Sequence, residues 1–448
     1  MKRLWMSIII SAALAAGAFT GCASAATTSP SVSGAASSTA VSMSQPASGE
    51  STTSATTTTT TAVTTVEGSA VDTSDLFTDR DLKQEADLTD AKTITVKSGE
   101  DVAITEEGTY VISGTAQDTT ITVEADDAAK VQLVLDGVSI TNASKPAIYV
   151  VSADKVFGTT ASGSNNELTV TGTIDMTTDS GSSVDGAIFA KDDIVLNGLG
   201  TLTVNSSCNG IVGKDDVKVT GGTYVIKAEG HGIQGKDSVA IADGTFTINA
   251  SEDAIHSKND DDPTLGYVYI ADGTFNLTAT SDGIRGTSIT QIDGGTVNVA
   301  AEEGIEGTYV QLNGGTISID ASDDGINAST KSSAYNPTLE INGGDITVNM
   351  AQGDTDALDA NGDLLIHGGT INITGPSAFD YDGQGSMTGG TLIVNGEQVT
   401  ELTNQMMGGG MGGRGGMSGE APGMSGNSSM PQDSSGSWGS SGGSRGMR

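Results

Sequence analysis

The sequence predicts an all-β protein in which short parallel strands wind into a β-helix of about 21–22 residues per coil. Between residues 185 and 380 one short phrase recurs nine times: a polar residue, then usually Gly or Ala, then an apolar residue. Gly-Gly-Thr, or a close variant, followed by alternating apolar residues, comes after most copies. A repeat of this length is typical of solenoids, and period-two alternation between glycine corners indicates strands.

The second phrase also predicts the core. Tyr224, Phe246 and Phe275 occupy the same position in successive copies, so we expect their rings to stack inside the coil. Another apolar column precedes the glycines and begins with Val219 and Ile241. Leucine-rich repeats have a similar period, but the chain lacks their Leu-x-x-Leu-x-Leu pattern.

Four segments are predicted along the chain. Residues 1–21 resemble a lipoprotein signal peptide, and Cys22 would then carry the lipid that anchors the protein to the outer face of a bacterial membrane. Ala23-Ser24-Ala25 offers a rival cleavage site, which would give a freely secreted protein. The remaining segments are a Ser/Thr-rich disordered linker at 22–66, the β-helix domain at 67–406 and a Gly/Met/Ser-rich disordered tail at 407–448.

The net charge limits the classes of molecule that the protein can bind, and the cysteine content limits its disulfides. The chain has 56 acidic and 20 basic residues and a formal net charge of −36. This excess excludes nucleic acid as a partner, disfavours direct contact with an anionic polymer and favours cations. With Cys22 lipidated, Cys208 has no partner for an intramolecular disulfide.

The polar letter of the first phrase is acidic from Asp253 onward. Stacked coils lie about 4.8 Å apart, and two carboxylates at that spacing repel by about 3 kcal/mol at an effective dielectric of 20. Calcium relieves such repulsion, because it binds about six to eight oxygens in a loose geometry. We expect Asp380 to end this run of acids. The predicted calcium ligands are Asp253, Asp282, Glu302, Glu303, Glu306, Asp323, Asp324, Asp356 and Asp359.

Turn chemistry is the alternative explanation for the acidic column. Asp-Gly is common in β-turns, where Asp caps the turn and Gly supplies a positive φ, and on that interpretation the column is only a corner. A zinc site is not predicted, because His231, His256 and His367 fall on different columns.

A ligand groove is predicted from three insertions, the first at residues 259–266, which interrupt the same part of the coil. Tyr267 and Tyr335 lie in or beside insertions, and Arg285 is the main base beyond the first one. These three are the predicted ligand-binding residues. Both tryptophans lie in the signal and tail segments, so the planar tryptophan row of many cellulose binders is missing.

The chain resembles the bacterial carbohydrate-binding, calcium-binding β-helix proteins first described in cellulolytic clostridia. The resemblance runs from about Asp72 to Val399 and rests on Phe77–Leu82 (FTDRDL), Gly108–Gly114 (GTYVISG), Val131–Val138 (VQLVLDGV) and the two repeated phrases. It implies a right-handed parallel β-helix like that of pectate lyases, with bound calcium. It also implies binding of cellulose or acidic plant polysaccharide without established catalysis.

Three functions follow from these observations. The first is a non-catalytic, calcium-dependent polysaccharide-binding lipoprotein of the cell surface. The second is a structural adhesin or spacer whose acidic column makes folding calcium-dependent. The third is a calcium-dependent polysaccharide lyase, in which Arg285 or Lys258 would abstract a proton next to a uronate carboxyl.

Overall fold

The computed structural model describes residues 70–353 and 355–404, all of which belong to one compact unit. The predicted signal peptide, Cys22, the linker and the tail lie outside these residues. Within the described ranges there are 34 strands and no α-helix, and hence no helix of the length and hydropathy that crosses a bilayer.

The strands are short and follow one another closely. The first eleven are β1 (Lys92–Thr95), β2 (Val102–Ile104), β3 (Gly108–Gln117), β4 (Ile121–Glu124), β5 (Lys130–Asn142), β6 (Ile148–Ser152), β7 (Lys155–Thr160), β8 (Asn165–Val170), β9 (Gly186–Ala190), β10 (Ile194–Gly198) and β11 (Thr201–Ser206). The next twelve are β12 (Asn209–Gly213), β13 (Asp216–Val219), β14 (Thr223–Ala228), β15 (Ile233–Gly235), β16 (Ser238–Ile241), β17 (Thr245–Ala250), β18 (Ile255–Ser257), β19 (Tyr267–Ile270), β20 (Thr274–Ala279), β21 (Asp282–Ile292), β22 (Thr296–Ala301) and β23 (Glu303–Leu312). The last eleven are β24 (Thr316–Ala321), β25 (Ile326–Ala328), β26 (Thr338–Ile341), β27 (Asp345–Met350), β28 (Asp356–Ala360), β29 (Asp363–Ile366), β30 (Thr370–Thr374), β31 (Ser377–Tyr381), β32 (Gly385–Met387), β33 (Thr391–Val394) and β34 (Glu397–Val399).

Each strand pairs in parallel with the strand one coil further on, which makes three stacks. The site stack contains β9, β12, β15, β18, the starts of β21 and β23, β25, β28 and β31. The second stack is here called the strap-side stack, because residues 70–84 lie against it. It contains β10, β13, β16, β19, the ends of β21 and β23, β26 and β29. The third stack runs from β11 through β14, β17, β20, β22, β24, β27 and β30 to β33, with which β34 pairs antiparallel. The predicted all-β, solenoid-like arrangement of parallel strands is confirmed.

The core lies inside the coils, as the apolar columns predict. Tyr224, Phe246 and Phe275 are buried, and their rings stack with centroids 5.1 and 4.7 Å apart. Val219 and Ile241 are buried in the next inward column. Parallel pairing places chemically similar side chains directly above one another, so a repeated apolar letter in the sequence becomes a continuous core.

The second glycine of Gly-Gly-Thr is required by the corner that it forms. Gly295 has a φ of +89°, which strains any residue with a Cβ. A Cβ at that position would also lie 2.7 Å from the carbonyl oxygen of Gly273 in the preceding coil. The corner therefore excludes side chains both by its backbone conformation and by the closeness of its neighbour.

Residues 70–84, here called the N-terminal strap, lie against the strap-side stack. The backbone N–H of Val71 donates to Gln291 Oε1 at 2.8 Å, and that of Ala70 donates to Gln311 Oε1 at 2.9 Å. Val71 also packs in a second hydrophobic cluster with the outward-facing Ile289. The strap thus covers part of a sheet face that would otherwise expose apolar side chains.

The far end of the strap is held by a buried carboxylate. Asp81 is fully buried, and its Oδ1 lies 3.5 Å from Lys155 Nζ. Its Oδ2 accepts a hydrogen bond of 2.9 Å from the backbone N–H of Thr78. The Asp81 carbonyl accepts one of 3.2 Å from Asn197 Nδ2. Through these contacts one short segment fastens several coils together.

Replacement of Asp81 by Ala should lower the free energy of unfolding by about 1.5–3 kcal/mol, because Lys155 and the Thr78 N–H lose a buried charged partner. Chemical denaturation followed by circular dichroism measures this. Asp79→Ala is the matched control, since Asp79 is exposed two residues away. Equal midpoints for both variants would contradict the role assigned to Asp81.

Candidate functional site

The first repeated phrase lies at the start of the strands of the site stack. Asp282 begins β21 and Glu303 begins β23, and the two residues face each other in the parallel register. The glycine after Asp282 has no positive φ, and a Cβ on Gly283 would lie 2.6 Å from the carbonyl of Gly304. Gly is needed here for close approach between coils. The positive φ on which the β-turn interpretation depends is therefore absent at this glycine.

The register builds two parallel columns of side chains. The first column, two residues before each apolar anchor, contains Asn209, His231, Asp253, Asp282, Glu303, Asp324, Asp356 and Ser377. The second column, one residue after each anchor, contains Gln234, His256, Arg285, Glu306, Asn327, Asp359 and Asp380. The expectation that Asp380 ends the first column is wrong, because Ser377 pairs with Asp356 and Asp380 pairs with Asp359.

Some side chains of the first column accept hydrogen bonds from backbone N–H groups of the next coil. Asp253 Oδ1 accepts a hydrogen bond of 3.0 Å from the N–H of Asp282, and Asp324 Oδ1 accepts one of 3.2 Å from the N–H of Asp356. His231 Nδ1 accepts the N–H of Asp253 at 3.2 Å in the same way. These side chains cap neighbouring backbone, which leaves one carboxylate oxygen of each aspartate for other partners.

At the start of the acidic run two histidines meet. The His231 and His256 rings stack with centroids 4.4 Å apart, and Asp253 Oδ2 lies 3.4 Å from His231 Nδ1 and 2.6 Å from His256 Nδ1. The two histidines do fall on different columns, as expected, but they lie in contact across the columns and share one carboxylate. Burial, together with the neighbouring His256, lowers the pKa of His231 to about 4. Although burial alone would raise the pKa of Asp253, its contacts with His256 hold it well below the usual range.

In the next two coils the acids are neutralised by bases. Arg285 lies 3.1 Å from Asp282 and 3.0 Å from Glu306, and Lys331 Nζ lies 2.7 Å from Glu306. Burial opposes the charge of Arg285, but Glu306 and Asp282 outweigh it and raise the pKa of the guanidinium. Asp282, Glu303 and Glu306 can place one oxygen each within 4.8 Å of one another. This cluster already holds two internal cations.

The following cluster differs, because no described lysine or arginine forms an ion pair with any of its three acids. Glu303, Asp323 and Asp324 can place one oxygen each within 4.8 Å of one another. Asn327 Nδ2 lies 3.1 Å from Glu303 Oε2 and 3.4 Å from Asp324 Oδ2. The Oδ1 atom of Asn327 is buried without a hydrogen-bond partner. Burial and the neighbouring acids raise the pKa of Asp324 to about 6 and also raise that of Glu303.

Acid continues beyond this cluster in the second column. Asp359 pairs in register with Asn327 on one side and Asp380 on the other. Burial and the charges of Asp324, Asp380 and Asp356 raise the pKa of Asp359 to about 7. Asp356 itself accepts a hydrogen bond from Ser377. Acidic side chains without a described ion-pair partner therefore accumulate between Glu303 and Asp380.

An open groove of about 530 Å³ lies beside these acids. Its floor is built from small side chains, including Ala300 and Ala301, and its polar lining includes Glu302, Asp320 and Asn349. Glu302 is exposed at the corner and lies outside the three clusters just described. It lines the groove and is followed in the chain by Glu303 of the first column.

The predicted ligand-binding tyrosines do not line this groove. Tyr267 and Tyr335 are half-buried and pack against the cluster that the N-terminal strap covers. Burial raises the pKa of Tyr267 to about 12. Packing of this kind accounts for both rings without a ligand. Arg285, the third predicted residue, lies inside the acidic columns and is bound there by Asp282 and Glu306.

Two contacts of the site could not be predicted from the repeat pattern. Lys331 lies in an insertion and contacts Glu306 of the preceding coil. No sequence pattern around Lys331 predicts this contact. The pairing of His231 with His256 crosses from the first column to the second. A comparison of diagonal as well as equivalent positions in successive copies would have found it.

The site stack lies within a region that matches known proteins. The family model for carbohydrate-binding domain-containing proteins matches residues 98–373 and 291–405. A carbohydrate-binding domain-containing protein from Acetivibrio thermocellus is 37% identical over 162 residues, which cover 35% of this chain and 55% of the relative. The match thus spans about half the length of that relative.

A solved structure is also similar. It is described as a polysaccharide lyase-like protein from C. thermocellum in a gadolinium derivative, with 25% sequence identity and a TM-score of 0.39. The alignment covers 70% of this chain and 97% of that chain. Together, the two segments that the family model matches extend over more than half of the sequence. The chain belongs to the family of carbohydrate-binding domain-containing proteins.

Proposed function

We propose that this protein is a non-catalytic, calcium-dependent polysaccharide-binding protein of the bacterial cell surface. Its scaffold is a right-handed parallel β-helix, and a lipid on Cys22 holds it to the outer face of the membrane unless cleavage at Ala23–Ala25 releases it. The family assignment supports carbohydrate as the ligand. The signal-like segment at 1–21 supports the location.

One observation carries the calcium proposal: the Glu303, Asp323 and Asp324 cluster beside the orphaned oxygen of Asn327. Calcium binds oxygen at about 2.4 Å, so oxygens on opposite sides of one ion lie up to about 4.8 Å apart. The three acids meet that spacing. A rotation of the Asn327 amide exchanges its N and O atoms and turns Oδ1 toward the ion, which then replaces the hydrogen bonds that Nδ2 donates to Glu303 and Asp324.

Calcium fits this cluster better than other common ions. Its donors are carboxylates and one amide oxygen, which are hard ligands. Magnesium requires a near-octahedral arrangement and keeps several waters, whereas calcium tolerates irregular sets of ligands. The Asp282, Glu303 and Glu306 cluster is the weaker candidate, because Arg285 and Lys331 already neutralise two of its acids.

An acidic polysaccharide suits the charge of the protein. A chain of net charge −36 repels a uronate polymer unless a cation lies between them. The groove lined by Glu302, Asp320 and Asn349 offers hydrogen-bonding groups for sugar hydroxyls beside the proposed ion. A calcium held at Glu303 and Asp324 would keep coordination positions for a uronate carboxylate.

The lyase alternative has less support. A base that abstracts a proton needs a pKa near the working pH, but Glu306 and Asp282 raise the pKa of Arg285. Lys258, the other base named for this role, lies 3.1 Å from Asp260, and its side chain is 50% exposed. Neither base has the environment that activates a general base.

Binding to immobilised polygalacturonate should require calcium, and binding to cellulose should be weaker. Retention on polymer-coated beads in calcium and in EGTA measures this, while absorbance of unsaturated uronate products tests for the lyase. Asp324→Ala should reduce retention at a fixed calcium concentration, whereas Asp345→Ala, a change at an exposed strand residue, should not. Retention that survives EGTA would contradict the calcium bridge. Failure to bind any polysaccharide would contradict the function.

Asp324→Ala should also lower calcium affinity at least tenfold and remove most of the rise in melting temperature that calcium produces, because an ion that binds only the folded state stabilises it. Isothermal titration with calcium and thermal denaturation measure the two effects. Asp345→Ala again serves as the control. A wild-type melting temperature that calcium leaves unchanged would contradict this site.

In EGTA the protein should lose stability as the pH rises from about 6.5 to 8. Asp359, with a pKa of about 7, binds protons in the folded state that an unfolded carboxyl with a pKa near 3.9 has already released. Its contribution is complete below about pH 4 and is lost as the pH rises through 7. Folded His231, with a pKa of about 4, stays neutral throughout this window. Asp282 and Glu303, whose pKa values are raised to about 8 and about 7, act in the same direction, so Asp359→Asn should make the slope shallower without removing it. Melting temperatures of the wild type and the variant measure the slope, which calcium should also reduce.

A further inference from the structure

We propose that His231, Asp253 and His256 form a second metal site, distinct from the calcium cluster, for a divalent transition ion such as Zn²⁺. The three side chains come from two successive coils and can place one ligand atom each within 4.8 Å of one another. Glu252 Oε2, 3.0 Å from His231 Nε2, lies at the solvent edge of the group. The site lies at the start of the acidic run, one coil before Asp282.

The donor atoms select the ion. Imidazole nitrogen binds zinc, nickel and copper well and calcium poorly, whereas the later clusters contain only oxygen donors. Two histidines and one carboxylate are also the protein ligands of many zinc sites that leave a fourth position open. The chain therefore offers a mixed N/O site and an all-oxygen site on the same stack, which different ions can fill.

One of the distances between ligand atoms is already that of a zinc site. Zinc bonds of about 2.0–2.2 Å place tetrahedral ligand atoms about 3.4 Å apart. His231 Nδ1 and Asp253 Oδ2 are separated by 3.4 Å. His256 Nδ1 and Asp253 Oδ2 are 2.6 Å apart and must open by less than 1 Å. His231 Nδ1 also exchanges its 3.2 Å hydrogen bond with the Asp253 N–H for the ion.

An independent observation points to a missing ligand. His256 is 5% exposed, and its Nδ1 is buried without an aligned hydrogen bond even though Asp253 Oδ2 is so close. A buried ring nitrogen whose close contact is poorly aligned forfeits part of the free energy of a hydrogen bond. An ion between this nitrogen and the carboxylate would satisfy both atoms.

Two neighbouring features are compatible with an ion. Arg285 follows His256 in the second column, but its charge is engaged by Asp282 and Glu306. The two imidazole rings are nearly parallel, with an interplanar angle of 14°, so one must tilt for both nitrogens to reach one ion. The His231 side chain is 16% exposed and borders solvent, which gives it room to move.

The test is zinc titration of the full chain in buffer saturated with calcium, which keeps the oxygen clusters occupied. One zinc should bind per chain, and His256→Ala and His231→Ala should each weaken it at least tenfold. His367→Ala is the matched control, because His367 is the remaining histidine of the chain and lies outside the cluster. Its affinity should equal that of the wild type.

Imidazole NMR on the wild type gives a readout that does not depend on the folding of any variant. With three histidines in the chain, zinc should shift the ring signals of His231 and His256 and leave those of His367 in place. Co²⁺ should give visible absorption bands that His256→Gln abolishes. The proposal is overturned if zinc binds the wild type and His256→Ala equally, if no zinc binds in calcium-saturated buffer, or if only the His367 signals move.

Discussion

Parallel stacking of coils in register is the constraint on which the rest of this structure depends. Parallel pairing sets equivalent positions of successive coils side by side, so a side chain lies about 4.8 Å from its counterparts above and below. For apolar residues this is favourable, as in the stack of Tyr224, Phe246 and Phe275. For charged residues it is costly, because like charges are forced together.

The site stack resolves that cost in three different ways along its length. At His231 and His256 the carboxylate of Asp253 is matched by imidazoles. At Arg285 and Lys331 the acids are matched by permanent cations. From Asp323 onward no described basic side chain of the site stack pairs with the acids, and burial together with the neighbouring acids raises the pKa values of Asp324 and Asp359. The same backbone register thus presents three chemical environments within a few coils.

Much of the fold could be predicted because the repeat is local. Alternating apolar residues and corner glycines follow from strand and turn geometry within one coil, and the inward columns of Val219 and Tyr224 follow from stacking alone. The acids at Asp282, Glu303 and Asp324 were predictable for the same reason. What could not be predicted depends on distant or diagonal contacts, such as Lys331 with Glu306 and His231 with His256. Tyr267 looked like an exposed ring beside an insertion, because nothing local indicates that residues 70–84 cover it.

The N-terminal strap has a mechanical consequence. A solenoid pulled at its first coil can peel open one coil at a time, since each coil contacts only its neighbours. A force applied at Ala70 instead enters the stack through Gln311, and through Gln291 by way of Val71, far from the first coil in sequence. The strap's contacts, from Gln311 to the pair of Asp81 and Lys155, must therefore break before the force reaches the first coil. A pull at the N-terminal side is opposed by contacts with several coils and not by the first coil alone.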